Sequence, residues 1–193
     1  MAPENAFRDM YLDENGDVIS GMSLYTAHAS GVPGTVAGFE YAHERFGTKS
    51  WNYLLRPSIQ LATNGFELSF RDAMYLNASR SFFLRDKESA KIFAAQDNYS
   101  VGDLFIQKDL AKTLRRISIG GADEFYKGVT SDMIVQCMKR TGGIITNRIK
   151  RIKNNLGVDS SWISVNMIKN WMLNDPLIDW LNMYGDKSLM DKK

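Results

Sequence analysis

The chain of 193 residues has one cysteine, two histidines and four prolines, and each scarcity closes off a class of chemistry. With Cys137 alone, no internal disulfide can form, and the compartment cannot be read from cysteine usage. His43-Glu44-Arg45-Phe46 has no second histidine four positions on, where a zinc-binding helix would place one. His28 and His43 therefore leave too few ligands for a metal site, no Cys/His catalytic pair is expected, and no cofactor is called for. No apolar run approaches the roughly 20 residues needed to cross a bilayer. The segment Met1–Tyr11 carries Glu4, Arg8 and Asp9 without an apolar core, so no signal peptide is expected there. A net charge of +2 gives no global pull towards nucleic acid or membranes. Internal repeats and low-complexity segments are also missing.

What is present reads as a mostly helical soluble domain, with 44% apolar and 24% charged residues. Met10-Tyr11-Leu12 and Val18-Ile19 flank Asn15-Gly16, which predicts a short β-hairpin. The most distinctive run is His28-Ala29-Ser30-Gly31-Val32-Pro33-Gly34-Thr35-Val36-Ala37-Gly38. Its glycines and proline predict a tight turn entering a helix from about Pro33 to Phe46, with Gly47 as the stop. The glycines at 31, 34 and 38 fit neither the dinucleotide fingerprint nor a phosphate loop, and no lysine follows Gly38. The run is expected to be a structural turn-to-helix corner rather than a phosphate cradle.

Further on, Ser50 is expected to cap a helix to about Thr63, bent or split at Pro57 and ended by Asn64-Gly65. Ser69 caps the next, with Phe70, Ala73, Met74 and Phe82 facing a core. Leu110, Leu114 and Ile117 form one stripe of a helix from Asp109 to Ile119, stopped by Gly120-Gly121, and Asp123–Lys127 is expected to make a short further turn of helix before Gly128. Thr130 or Ser131 should cap a helix with Ile134, Cys137 and Met138 inward, closed by Gly142-Gly143, and Cys137 is expected to be a small buried apolar residue.

Composition shifts near Asn147. Residues 148–193 hold eight Lys/Arg against five Asp/Glu, whereas the first 147 hold 16 against 17. Three of the four tryptophans, Trp162, Trp171 and Trp180, also lie beyond the shift. Residues 147–193 thus read as a basic linker followed by aromatic helical patterns: Val165, Ile168 and Met172, then Leu177, Trp180, Leu181 and Tyr184. Arg148, Lys150, Arg151 and Lys153 with the tryptophans could combine phosphate contact with base stacking. Trp180 shares a stripe with Leu177 and Leu181, however, and core packing is the favoured reading.

A collinear series of phrases resembles the γ-glutamyltransferases (glutathione hydrolases). It runs through Met1-Ala2-Pro3, Arg8-Asp9-Met10-Tyr11-Leu12-Asp13, Ala29–Phe39, Phe46-Gly47-Thr48 and Ala62-Thr63-Asn64-Gly65-Phe66. Gly102-Asp103-Leu104, Gln107–Leu114, Asp123–Gly128 and Gly142–Thr146 complete it. The resemblance spans residues 1–146 and implies an interior part of the large subunit of an N-terminal-nucleophile hydrolase with the αββα layered fold. The expected fold class is α+β and predominantly helical. Such enzymes cleave themselves into two subunits, and the new N-terminal threonine, activated by its own α-amino group, attacks the γ-glutamyl amide of glutathione.

The family's donor-binding arginine would lie just before Met1, Arg8 does not inherit that role, and the catalytic threonine belongs to the small subunit. No catalytic, substrate-binding or metal residue is therefore assigned. The family-signature positions Gly31, Pro33, Gly34, Thr35 and Gly38 are expected to be structural. The resemblance implies glutathione or γ-glutamyl compounds and a small subunit as partners, and a periplasmic or extracellular setting. The chain is expected to be inactive alone. The alternative is a non-catalytic helical interaction module, with nucleic-acid binding by residues 147–193 as a weaker one.

Overall fold

Asp13 sets the first turn. Its Oδ1 accepts from the amides of Asn15 and Asp17, each at 2.9 Å, and Gly16 adopts φ 86°. The predicted hairpin shrinks to a single antiparallel bridge between Leu12 and Val18. Gly21, at φ 75°, turns the backbone into the four-residue helix α1 (Met22–Tyr25), so no strand can extend beyond Ile19. The computed structural model describes residues 3–146 of the chain. The expected boundary near Asn147, the basic run and the aromatic helices after it lie outside the described residues.

A 3-10 turn at Ala27–Ala29 leads through the glycine-rich corner into α2 (Thr35–Phe46). Gly47 ends α2 as expected, in extended backbone at φ −70° and ψ 126°. Ser50 caps α3 (Trp51–Asn64), its side chain accepting from the Tyr53 amide. Pro57 neither splits nor ends this helix; it sits exposed in the interior. Gly65 does end it, at φ 85°, and a Cβ there would lie 2.7 Å from Ile106 Cγ1. Positive φ and the approach of the neighbouring strand both demand glycine.

That strand belongs to a two-stranded sheet the sequence reading did not foresee. β1 (Phe66–Glu67) pairs antiparallel with β2 (Leu104–Phe105), Phe66 opposite Phe105. Between the strands lie α4 (Phe70–Ala78), α5 (Arg80–Phe83) and α6 (Lys87–Phe93). Ser69 and Asp72 cap α4 reciprocally: Asp72 N donates to Ser69 Oγ, and Ser69 N donates to Asp72 Oδ2. Leu68, Ala73, Tyr99 and Phe105 form a small core, closed by Leu76 and Phe93. Asn77 fixes the Tyr99 backbone on both sides, accepting from its amide at 2.8 Å and donating to its carbonyl at 2.9 Å. Of the apolar residues expected to face a core here, only Ala73 does. Phe70, Met74 and Phe82 are exposed, because the small core accepts only one narrow stripe of α4.

The organising element is α7 (Lys108–Lys127), against which α2, α3 and α8 (Val129–Thr141) all pack. Ala111, Ile117, Ala122 and Tyr126 bury its inner stripe. Leu110, at the start of the expected stripe, remains exposed. Gly120-Gly121 breaks the helix as expected: Gly121 leaves helical backbone at φ 63°, ψ −157°, and a second helical piece follows it to Lys127. Thr130 and Ser131 are not caps of α8. Gly128 holds the cap position, and both hydroxyl residues are buried within the first turn. There Glu124 Oε1 accepts from the Thr130 amide at 3.3 Å. Val135 and Ile145 are the deeply buried residues of this end, whereas Cys137 is only half-buried. Gly142, left-handed at φ 75°, closes α8 as predicted.

Candidate functional site

The corner from His28 to Gly38 is where the family-signature positions sit, and side chains from α7 define its geometry. The first turn of a helix leaves amides without partners, usually satisfied by a cap side chain. Gly34 is the N-cap of α2 and has no side chain to offer. Tyr126 acts in its place. Its phenol oxygen accepts from the Ala37 amide at 3.2 Å and donates to the Pro33 carbonyl at 2.7 Å. The tyrosine is fully buried, and burial, with a smaller push from Glu40, raises its pKa above the ordinary value of a phenol.

A second clamp lies beside the first. Glu40 Oε1 accepts from the Ala122 amide at 2.9 Å, at the point where Gly121 kinks α7. A Cβ on Gly121 would come within 2.8 Å of that oxygen, so the kink and the clamp need the same glycine. Trp51 at the head of α3 adds a third tie, donating from Nε1 to the Ile117 carbonyl at 3.0 Å. His43 meets Trp51 edge-on, and its Nε2 donates to the Lys49 carbonyl at 2.7 Å, since that oxygen can only accept.

The signature residues are therefore placed together, and their roles differ from the sequence expectation in one respect. None of Gly31, Gly34 or Gly38 adopts positive φ. Gly34 lies at φ −105°, and a Cβ at Gly34 or Gly38 would meet nothing within 4 Å. Pro33 contributes its carbonyl to Tyr126, while Thr35 is the exposed first residue of α2. Tyr126 and Glu40 were missed. Tyr126 lies inside the phrase Asp123–Gly128, but nothing local links it to an amide 89 residues away.

α2 and α3 diverge above α7 and leave an open groove of about 530 Å³ between them. Phe39 and Phe46 form one wall, Trp51 and Leu54 the other, with Leu114 and Ile117 as the floor. The lining has no formally charged group, and Phe39, Phe46 and Leu54 are about half exposed or more. A different cluster joins α7 to α8: Arg116 Nε donates to Glu124 Oε1 at 3.0 Å and its Nη2 to Thr130 Oγ1 at 3.2 Å. Among the described residues Arg8 forms an ion pair with its neighbour Asp9, on the exposed surface. Among the described residues no group of three or more His, Cys, Asp or Glu could hold a metal ion, and no helix is long and apolar enough to cross a membrane.

This arrangement defines a helical scaffold, with a buried tyrosine locking the glycine corner onto a central helix. The model of the gamma-glutamyltranspeptidase family matches residues 1–148, and the chain belongs to that family. It is 47% identical over 147 residues to a glutathione hydrolase proenzyme of Pseudomonas sp. strain A14, covering 75% of this chain and 26% of that protein. The fold is similar to that of Helicobacter pylori gamma-glutamyltranspeptidase, with TM-score 0.76 and 43% identity over 79% of this chain and 44% of that one. The Pseudomonas nitroreducens enzyme, solved in complex with L-DON, gives TM-score 0.73 and 39% identity over the same shares. The chain thus spans about a quarter of the length of its curated relatives.

Proposed function

We propose that residues 1–146 are an interior part of the large subunit of a γ-glutamyl-transferring hydrolase of the αββα type, inactive by itself, and that residues 147–193 form an unrelated extension. The reading is carried by the family match over residues 1–148 together with the small share of each relative that the chain covers. In this reading the chain contributes the α2–α3–α7 scaffold and its Tyr126-locked corner. The hydroxyl nucleophile, its amine base and the donor's carboxylate-binding group come from the rest of such an enzyme. The substrate class is glutathione and other γ-glutamyl amides, whose acyl group passes to water or to an acceptor amine.

The test uses a chromogenic γ-glutamyl anilide. The purified chain should release no aniline alone, and should support release when assembled with the parts of a relative that it does not match. Turnover by the chain alone would refute the dependence. An assembled complex that stays silent would instead favour a non-catalytic helical interaction module, a reading encouraged by the exposed apolar walls of α2 and α3. Nucleic-acid binding by residues 147–193 would require salt-sensitive retention on DNA, and its absence would dismiss that role.

A further inference from the structure

Met133 lies in the second turn of α8 and, at 55%, is the most exposed methionine among the described residues. Its Sδ is 3.8 Å from Nη2 of Arg116, on α7. That nitrogen has two hydrogens to give and faces three acceptors. Thr113 Oγ1 is at 3.0 Å and Thr130 Oγ1 at 3.2 Å, so the thioether sulfur is both the farthest and the weakest of them. Thr113 precedes Arg116 on the same helix, and its bond to Nη2 adds nothing between helices. Its hydroxyl also donates to the Asp109 carbonyl at 3.2 Å, a partner it keeps if Arg116 turns away. An exposed methionine therefore sits beside a cation whose hydrogen a better acceptor would take.

We propose that Met133 is a peroxide-sensitive modification site whose sulfoxide is captured by Arg116. In the step, a sulfur lone pair attacks one oxygen of hydrogen peroxide and the O–O bond breaks. Sulfur keeps that oxygen, and the other leaves as water with the proton of the attacked oxygen. Sulfur loses two electrons and the peroxide gains them. The exposed side chain admits the oxidant and leaves the product wet, so no polar oxygen is driven into a core. A sulfoxide oxygen roughly 1.5 Å out from this sulfur comes within charge-assisted reach of Nη2, about 2.7–2.9 Å. The flexible thioether lets either sulfoxide epimer turn its oxygen that way. A hydrogen shared with Thr113 inside α7 thereby becomes a bond between α7 and α8. Methionine sulfoxide usually loosens packing, whereas here it sets a strong acceptor against a guanidinium and tightens the junction.

The test treats the full 193-residue chain with graded hydrogen peroxide and reads sulfoxide at each methionine by peptide mass spectrometry. Met133 should oxidise about tenfold or more faster than Met10, which is 8% exposed. Met133→Gln sets a carbonyl acceptor at similar reach and imitates the sulfoxide without oxidant. Its Tm should lie about 1–4 °C above that of Met133→Leu. Leucine is at least as good a helix former, so propensity cannot produce that gap. Peroxide treatment should likewise shift Tm in favour of wild type over Met133→Leu, compared at equal oxidation of the other methionines. In an Arg116→Met background both differences should vanish. Hydrogen exchange reads the same capture without that variant: the Thr130 amide, bound to Glu124 Oε1, should exchange more slowly once Met133 is oxidised.

Oxidation of Met133 no faster than that of Met10 overturns the site. A Tm of Met133→Gln at or below that of Met133→Leu overturns the capture, because the added oxygen would then find no donor. So does a loss of stability confined to the oxidised chain that carries Met133, which marks an ordinary oxidative lesion. Differences that survive Arg116→Met, or unchanged or faster exchange at the Thr130 amide, remove Arg116 as the captor and overturn the proposal as well.

Discussion

Replacing Tyr126 by phenylalanine removes one oxygen atom and tests the central lock of the corner. The ring keeps its packing, so no cavity beyond a hydroxyl is created. The Ala37 amide loses its acceptor and the Pro33 carbonyl its donor. Ala37 is 5% exposed and belongs to the first turn of α2, where no backbone carbonyl can replace the phenol. A stranded buried donor costs about 1–3 kcal/mol, and the lost bond to the carbonyl adds about 0.5–1 kcal/mol. The expected total is about 1.5–4 kcal/mol. For a chain of this size that lowers Tm by roughly 3–16 °C. Thermal unfolding followed by circular dichroism measures the sum, and amide hydrogen exchange locates it: Ala37 should lose protection selectively. Tyr53→Phe, at a residue 59% exposed, is the control and should change little. The same hydroxyl predicts the alkaline limb. The folded-state pKa of Tyr126 is raised above the unfolded value, so its contribution is complete below about pH 10 and is lost as pH rises through the folded value. Tyr126→Phe should flatten that part of the stability profile. A Tm within about 1 °C of wild type with Ala37 still protected would refute the assignment of Tyr126 as the surrogate cap.

Gly65→Ala should destabilise by about 1–3 kcal/mol, since it forces φ 85° on a residue with a Cβ and drives that atom to 2.7 Å from Ile106 Cγ1; urea midpoints would measure it. Gly38→Ala should do the opposite and raise the urea midpoint of the free chain by about 0.5–1 kcal/mol equivalent, because nothing lies within 4 Å of the new methyl group. Arg116→Ala leaves the Glu124 carboxylate, 13% exposed, without its guanidinium partner. Breaking a buried pair costs about 3–5 kcal/mol, reduced here to about 2–3 because the Arg116 side chain is 29% exposed. The double variant Arg116→Met, Glu124→Met should recover much of that loss in the same denaturation assay, and failure to recover would show that the pair is not what the single substitution broke.

Most helices were legible in the sequence because their signals are local. Ser50 and Ser69 cap where hydroxyls precede apolar periodicity, and Gly65 and Gly142 end helices through positive φ. The errors fall where a distant partner decides. Nothing local reveals Glu40, 82 residues from Ala122, as the tie from α2 to the backbone just past the break at Gly121. Phe70, Met74 and Phe82 have the spacing of a core face, but the side chains of α4 that reach the small core are Ala73 and Leu76. The two-residue strands β1 and β2 are too short to show alternation, and their register depends on a contact between segments about 40 residues apart.

The glycines separate into two kinds, and the distinction bears on how a signature motif should be read. Gly65 and Gly121 are needed by the chain itself: each adopts positive φ, and each faces an atom that a Cβ would strike. Gly34 and Gly38 satisfy neither condition, although they lie in the run that most clearly marks the family. A local reading assigns such glycines to a tight turn, and the backbone angles remove that reason. The corner is instead held from α7 by Tyr126, which supplies the cap that Gly34 cannot. If folding of this part alone had shaped α2, alanine at 38 would serve better than glycine.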